Sequence, residues 1–292
     1  MNNLVLKYGI ITPAYNEAPF IAKFMESVIA QTVRPEAVVI VDDESSDETA
    51  RLACDIAVKH EWIRVVRRNS KSYHQIGAKV VETFLYGLDQ VDITAWDIVV
   101  KLDADLVLPP DYFERVLDVY RCDPQTGICG GVCGIPRNDT VEVEKLSDRY
   151  HLRGAIKSYR MSCYNSIGGL VPALGWDTLD ELLAEYHGWK TTVIPDLVVL
   201  HKRPTGSKTR SVHLHLMVGE MFYRLGYSPF ASLISALKRY NIKPLLLSSL
   251  LSLAGYVKAT LMRPPKLVNR AQQQFIRKLR FRRMLDKLTE WF

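Results

Sequence analysis

Apolar and polar positions follow two rhythms through the first half of the chain. Four short, mostly apolar runs read as strands: "KYGIITPAY", "AVVIVDDESS", "WIRVVRRN" and "WDIVVKLDADLVL". Runs of that length bounded by turn formers are typical of strands covered on both faces. Between them the spacing becomes helical. Phe20, Ile21, Phe24, Val28 and Ile29 recur on one helical face within 18–31. Residues 77–88 read the same way, and Pro109-Pro110 stop the fourth strand before a helix from Asp111. Ser45, with Glu48 three residues on, predicts a capping box for the helix after the second strand. This alternation predicts an α/β fold, a mostly parallel sheet flanked by helices, with ligands at the carboxyl ends of the strands.

The rhythm weakens from about Gly127. "GICGGVCGIPRNDT" is interrupted by Gly, Cys and Pro and predicts irregular chain. "GGLVPALGWDTLDELLAEYHGWKTTVIPDLVVLHKRPTG" then reads as a loop, a short helix, a strand and a basic turn. After Arg210 the pattern shifts to long apolar and basic stretches, which divides the chain into 1–210 and 211–292. "PLLLSSLLSLAGYV", 244–257, is shorter than the roughly 20 residues a spanning helix needs. The following run carries many Lys and Arg, with Phe275, Ile276, Leu279, Phe281 and Leu285 interleaved. A basic amphipathic stretch of this kind predicts a helical, membrane-associated extension. A buried core helix followed by a solvated one is the plainer alternative.

Charge and cysteine content narrow the partners. The net charge of +6 favours anionic ones. The five cysteines are odd in number and lack CxxC spacing, which reads as reduced thiols. The N-terminus has no basic, apolar and small-residue succession of a signal peptide. Together these predict a cytoplasmic chain, peripheral at the inner face of a membrane, and make the Asn138 sequon a chance match.

The carboxylates carry the chemistry. Asp42 and Asp43 end the second strand; Asp103 and Asp105 lie at or just past the fourth. In a parallel sheet both pairs face one crevice. Either pair alone can cap a helix or close a turn, but two pairs at one edge repel unless a cation or donor groups compensate. A hard divalent ion does so, and Mg²⁺ or Mn²⁺ characteristically takes one or two carboxylates plus phosphate oxygens. Arg67 and Arg68, just past the third strand, are placed to reach a phosphate.

These elements occur in company: "TPAYNE", "VDDESSDET", "KLDADLVLPPDYF", "GWDTLDE" and "VVLHKR". In this order and spacing the sequence resembles the family 2 glycosyltransferases of the GT-A fold, over about two-thirds of the chain. The resemblance implies a metal-dependent, inverting transfer of a sugar from a nucleotide-diphosphate sugar to a hydroxyl of a glycan, lipid-linked or other acceptor. It implies that Pro13, Tyr15, Glu17, Asp42 and Asp43 line the nucleotide site, with Arg68 and Lys79 beside them. It further implies that Asp103 and Asp105 form the DxD pair, Asp103 also facing the nucleotide sugar, and that His201 completes a site for Mn²⁺ or Mg²⁺. The donor implied by default is a UDP-sugar, with a GDP-sugar open. The base that activates the acceptor is usually the aspartate of an "ED" pair at a helix start. Here Asp177 takes that place and Trp176 stands where the glutamate would be, leaving Asp180 and Glu181 as alternatives. A helix N-terminus also favours such carboxylates without any catalytic role.

Other classes fit less well. No G-x-G-x-x-G follows the first strand, as a nicotinamide enzyme would require. A nucleotide-binding phosphotransferase with an aspartyl nucleophile would carry its acidic pair after the first strand. A non-catalytic membrane-surface protein would explain the basic tail but not polar clusters at several strand ends. No nucleic-acid-binding module accompanies the basic run.

Overall fold

A computed structural model describes residues 5–69, 77–137, 140–143, 151–201, 212–239 and 246–289. The chain divides into two compact units, Met1–Pro204 and Thr205–Phe292. The basic turn at Lys202-Arg203, the Asn138 sequon and the start of the apolar stretch at Pro244 lie outside the described residues.

The first unit begins with the expected alternation: β1 (Tyr8–Ala14), α1 (Ile21–Ile29), β2 (Ala37–Asp42), α2 (Thr49–Ala57), β3 (Ile63–Arg67), α3 (Ala78–Leu88) and β4 (Ile98–Leu102). It continues with β5 (Leu106–Val107), α4 (Tyr112–Cys122), β6 (Thr126–Arg137), β7 (Thr140–Val143), β8 (Ile156–Arg160), α5 (Met161–Ser166), α6 (Trp176–Tyr186) and β9 (Lys190–His201). One nine-stranded sheet runs β3-β2-β1-β4-β8-β6-β9-β5, with β7 on β6. The stretch β3-β2-β1-β4 is parallel. From β4 outward the pairing is antiparallel except between β6 and β9. The central strands are apolar on both faces because both are covered. Ile10, Ile11, Val39 and Val99 are inaccessible to solvent, as are Phe24 of α1 and Phe84 of α3.

Three local expectations are corrected. The fourth strand is broken: β4 stops at Leu102, Asp103 N–H donates to Ala155 O at 3.0 Å, and the chain resumes as β5 antiparallel to β9. Two carboxylates cannot stay in a covered apolar ladder, so they occupy the turn between two strands. Residues 126–137, expected to be irregular, form the long strand β6. Its glycines mark close backbone approach rather than a break: a Cβ on Gly131 would stand 2.1 Å from Leu197 O. Finally, α2 starts at Thr49, and no side chain caps it. Ser45 Oγ instead accepts from Asn16 N–H at 3.0 Å, so it serves a loop junction, not a capping box.

The second unit is helical: α7 (Val212–Arg224), α8 (Pro229–Leu237), α9 (Leu247–Met262) and α10 (Arg270–Thr289). Ser228 Oγ accepts from Ala231 N–H, and Pro229 opens α8, a favourable start on both counts. α7 and α9 approach at their glycines. A Cβ on Gly219 would sit 1.9 Å from Ser252 O, and one on Gly255 2.1 Å from Leu216 O. Ser248, Ser249 and Ser252 are therefore buried, while Leu250 and Leu261 of the same helix are 63% and 77% exposed. The serines and Gly255 face inward, and Leu250 and Leu261 outward. Among the described residues, no helix is long and apolar enough to cross a membrane.

Candidate active site

Because β1, β2 and β4 are parallel, their carboxyl ends share one edge. The loops that leave β1 and β2 are bonded into one surface. Asn16 takes a left-handed backbone (φ 54°), which aims its N–H at Ser45 Oγ while its Oδ1 accepts from Ser46 N–H at 2.9 Å. Glu17 N–H donates to Thr49 Oγ1 at 2.7 Å, and Ala18 N–H to Asp47 Oδ2 at 3.1 Å. Pro13, the last residue but one of β1, is paired with Val41 of β2.

Behind this surface lies a compact charged group. Asp43, almost fully buried, holds Lys79 Nζ at 3.1 Å and Arg68 Nη1 at 3.3 Å. Arg68 also donates to Thr83 Oγ1 and Glu82. Lys79 Nζ lies 4.8 Å from the centre of the Tyr15 ring, which is 45% exposed. An isolated lysine on α3 would be a solvated surface charge; this one is fixed between a buried carboxylate and an aromatic face. Asp42 is fully buried, accepts from Ser45 N–H at 3.3 Å and stands 3.7 Å from Arg67 Nε.

The turn between β4 and β5 presents the second cluster. Leu106 and His201 are register partners, which brings His201 Nε2 to 3.4 Å from Asp105 Oδ1. Burial pulls the His201 imidazole down, but the hydrogen bonds with Asp105 and Cys133 outweigh it and raise it to about 10. Asp103 is more open and pairs with the buried ammonium of Lys101. Among the described residues, no group of three or more His, Cys, Asp and Glu is gathered for a metal. Asp105 and His201 touch, whereas Asp103 is held by Lys101.

The third cluster surrounds the start of α6. Lys101 of β4 and Lys157 of β8 are direct cross-strand partners, and both are buried. Like charges so placed repel unless each has its own counter-ions. Lys101 has Asp103 and Gly154 O. Lys157 donates to Asp180 at 2.8 and 2.9 Å and to Asp177 O at 2.5 Å, and stands 3.0 Å from Glu181 Oε1. Both ammoniums stand over the Trp176 ring, 5.3 Å and 5.8 Å from its centre. Burial works against the Lys157 ammonium, but the carboxylates of Asp180, Glu181 and Asp177 overcome it and hold the group cationic. Asp180 also accepts from Tyr159 O–H at 2.6 Å; burial pushes its carboxyl up to about 6, against Lys157. Glu181 accepts from Leu152 N–H and contacts His151 Nδ1 at 3.0 Å. Asp180 and Glu181 are thus consumed by interior partners, while Asp177 keeps a third of its side chain exposed.

Sequence reasoning missed Lys101, Lys157, Tyr159 and His151. The signal for the lysines was present, since each interrupts a strand ("VVKL", "AIKSYR") in which a lone ammonium is costly. His151 and Tyr159 belong to no local motif.

The family model for glycosyl transferase family 2 matches residues 9–168. A chondroitin synthase from Escherichia coli is 30% identical over 118 residues, 39% of this chain and 15% of that protein. An undecaprenyl-phosphate 4-deoxy-4-formamido-L-arabinose transferase from Serratia proteamaculans is 29% identical over 118 residues, 39% of this chain and 34% of that protein. The match therefore spans about a third or less of these relatives' own length. A mannosyltransferase from Pyrobaculum calidifontis, solved in complex with GDP-Man and Mn²⁺, superposes with TM-score 0.57 at 16% identity, covering 87% of this chain and 75% of that one. At that identity the likeness is one of fold, the GT-A arrangement of a mixed sheet flanked by helices.

Proposed function

The chain belongs to glycosyl transferase family 2, and from that premise we propose that it moves a sugar from a nucleotide-diphosphate sugar to an acceptor hydroxyl, with inversion and with a divalent metal. The observation that carries the reading is that carboxylates stand at the neighbouring ends of β2 and β4 and at a helix start that Lys101 joins to the second: Asp43 with Arg68, Lys79 and Tyr15; Asp103 and Asp105 with His201; and Asp177 beside Trp176 at the start of α6.

Each cluster suits one part of the reaction. Tyr15 offers a ring face to a base, and Glu17 and Asp43 offer acceptors for ribose hydroxyls or a base N–H. Lys79 and Arg68 hold Asp43 in place. The carboxylate of Asp105 and the imidazole of His201, once a cation displaces the proton on its Nε2, are hard and borderline donors in contact, a set that fits Mn²⁺ or Mg²⁺. They would hold the metal, with Asp103 joining them on release from Lys101 or reaching the donor sugar. A bound metal supplies positive charge to the departing diphosphate. Asp177 takes the proton of the acceptor hydroxyl as its oxygen attacks the anomeric carbon, and the electron pair of the breaking bond leaves with the diphosphate. Asp180 and Glu181, committed to Lys157 and His151, build the floor under that base. UDP-sugars are the default donors; the GDP-Man and Mn²⁺ bound to the Pyrobaculum neighbour keep GDP-sugars in the screen.

The acceptor class follows from the second unit and the relatives together. The Serratia relative is named for an undecaprenyl-phosphate substrate. Here α9 and α10 expose Leu250, Leu261, Met262 and Phe281 beside a basic run, which suits peripheral contact with an anionic bilayer. A lipid-linked acceptor is the reading these features favour.

The deciding experiment is a donor screen that measures nucleoside diphosphate release from UDP- and GDP-sugars, with wild type and Asp105→Ala in Mn²⁺ or EDTA. Metal-dependent release lost in Asp105→Ala supports the reading. Equal turnover in EDTA overturns its metal step, and no release from any nucleotide sugar overturns the whole.

A further inference from the structure

The catalytic-base reading gives Asp177 a task that its own surroundings explain poorly. Its carboxylate is partly open to solvent, and its backbone carbonyl, not its side chain, accepts from Lys157. A base held loosely loses its advantage, since a misplacement of about 1 Å can cost on the order of a hundredfold in rate. Something must orient it.

One side chain stands in the right place. His151 precedes β8 and lies against α6. Its Nδ1 is 3.0 Å from Glu181 Oε2, and its Nε2 is 4.0 Å from Asp177 Oδ2. Glu181 is itself fixed by Leu152 N–H at 2.8 Å and by Lys157 at 3.0 Å. The backbone of this segment is pressed onto the helix start: a Cβ on Gly154 would meet the Trp176 ring at 2.8 Å and Asp177 Cβ at 3.1 Å. Resting on the reading of Asp177 as the base, we infer that His151 is its positioning residue, an imidazole bridge that ties the Asp177 carboxylate to the buried Glu181 and aims it at the acceptor.

The electrostatics agree with the geometry. Burial and the facing ammonium of Lys157 work against a charged His151, but Glu181 and then Asp177 outweigh them and raise it above its ordinary value. Glu181 is likewise opposed by burial yet held low by Lys157 and His151. The ring thus lies between two carboxylates that favour its charged form, in hydrogen-bond contact with Glu181 and within ion-pair range of Asp177. In its charged form the ring has no lone pair to take the acceptor's proton. Its work is to hold the base, and the proton stays on Asp177 until product leaves.

Two measurements on the full chain test this. The first is the imidazole titration of His151 by NMR, assigned by its loss in His151→Asn. In Asp177→Asn the His151 midpoint moves down by about one unit, the lower end of what an opposite charge at this distance does. An unchanged midpoint overturns the bridge whatever the enzyme's activity. The second is kinetic, with UDP-glucose and GDP-mannose as probes and diphosphate release as readout. His151→Asn lowers kcat about ten- to a hundredfold with donor KM unchanged, and adds nothing further in Asp177→Asn. Additive losses, or a wild-type kcat in His151→Asn beside a dead Asp177→Asn, overturn the inference and leave Asp177 as base. A fully active Asp177→Asn removes the base reading and the inference with it.

Discussion

Lys157→Met is the most severe test of the ion cluster under α6. Lys157 is fully buried and reaches four oxygens at 2.5 to 3.0 Å: Asp177 O, both Asp180 carboxylate oxygens and Glu181 Oε1. Methionine keeps an unbranched apolar stem near Trp176 and lacks only the terminal ammonium position, so the change chiefly removes charge and hydrogen bonds. Asp180 is then left buried with Tyr159 O–H and the Glu181 N–H as its donors. Breaking a buried pair by removing one partner costs about 3–5 kcal/mol. For a unit of this size each kcal/mol is worth roughly 2–4 °C, so Tm falls by about 6–20 °C. The pH dependence has a definite sign. Burial already lifts Asp180 to about 6 with the ammonium present, and losing the ammonium lifts it further. The native variant then binds a proton that the unfolded chain does not, so its stability rises as pH falls. Differential scanning calorimetry at pH 5 and pH 7.5 gives both quantities. Replacing Asp180 by Leu in the Lys157→Met background should recover part of the loss, because no charge remains unpaired. A Tm within about 2 °C of wild type at pH 7.5, or a deficit that deepens at pH 5, would refute the reasoning.

Other outcomes follow from the same geometry. Lys79→Ala should raise the donor KM and weaken nucleoside diphosphate binding by calorimetry while kcat changes little, since Lys79 braces Asp43 and Tyr15 rather than the reacting atoms. In the wild type, Glu181 is lowered from 4.5 and His151 raised from 6.5. The Glu181 share of stability is present above 4.5 and lost as pH drops through its folded value. The His151 share is present below 6.5 and lost as pH climbs through its folded value; His151→Asn should flatten that alkaline decline in a Tm series. Vesicle co-sedimentation should show binding to anionic liposomes that salt weakens, each basic side chain being worth about 1 kcal/mol. Leu250→Gln with Leu261→Gln should remove the salt-resistant fraction, and binding untouched by both salt and these changes would exclude the surface.

The parts of this protein that could be read from its sequence are those whose cause is local. The apolar runs of β1, β2 and β4 announce a covered sheet because all but one position in each of β1 and β2, and all of β4, are buried for the same reason. Asp43 and Asp105 stand out because a carboxylate beside such a run needs an explanation. What escaped has a cause elsewhere in the chain. β6 looked irregular because its glycines answer to the Leu197 carbonyl some 66 residues on, which no local pattern contains. Ser45 looked like a helix cap because the residue that claims it, Asn16, lies on another strand's exit loop. The same distinction separates the three carboxylates of α6. In sequence Asp177, Asp180 and Glu181 are equivalent acids in the first turns of one helix. They differ only through β8 and the segment before it, which bring Lys157 and Tyr159 to Asp180 and His151 to Glu181. Those partners consume two of the acids and leave the third facing outward. If Asp177 is the base, as proposed, a strand that carries no catalytic motif selects it, and substitutions in residues 151–159 should alter acceptor activation while leaving the proposed donor site at Asp43 and Tyr15 unaffected.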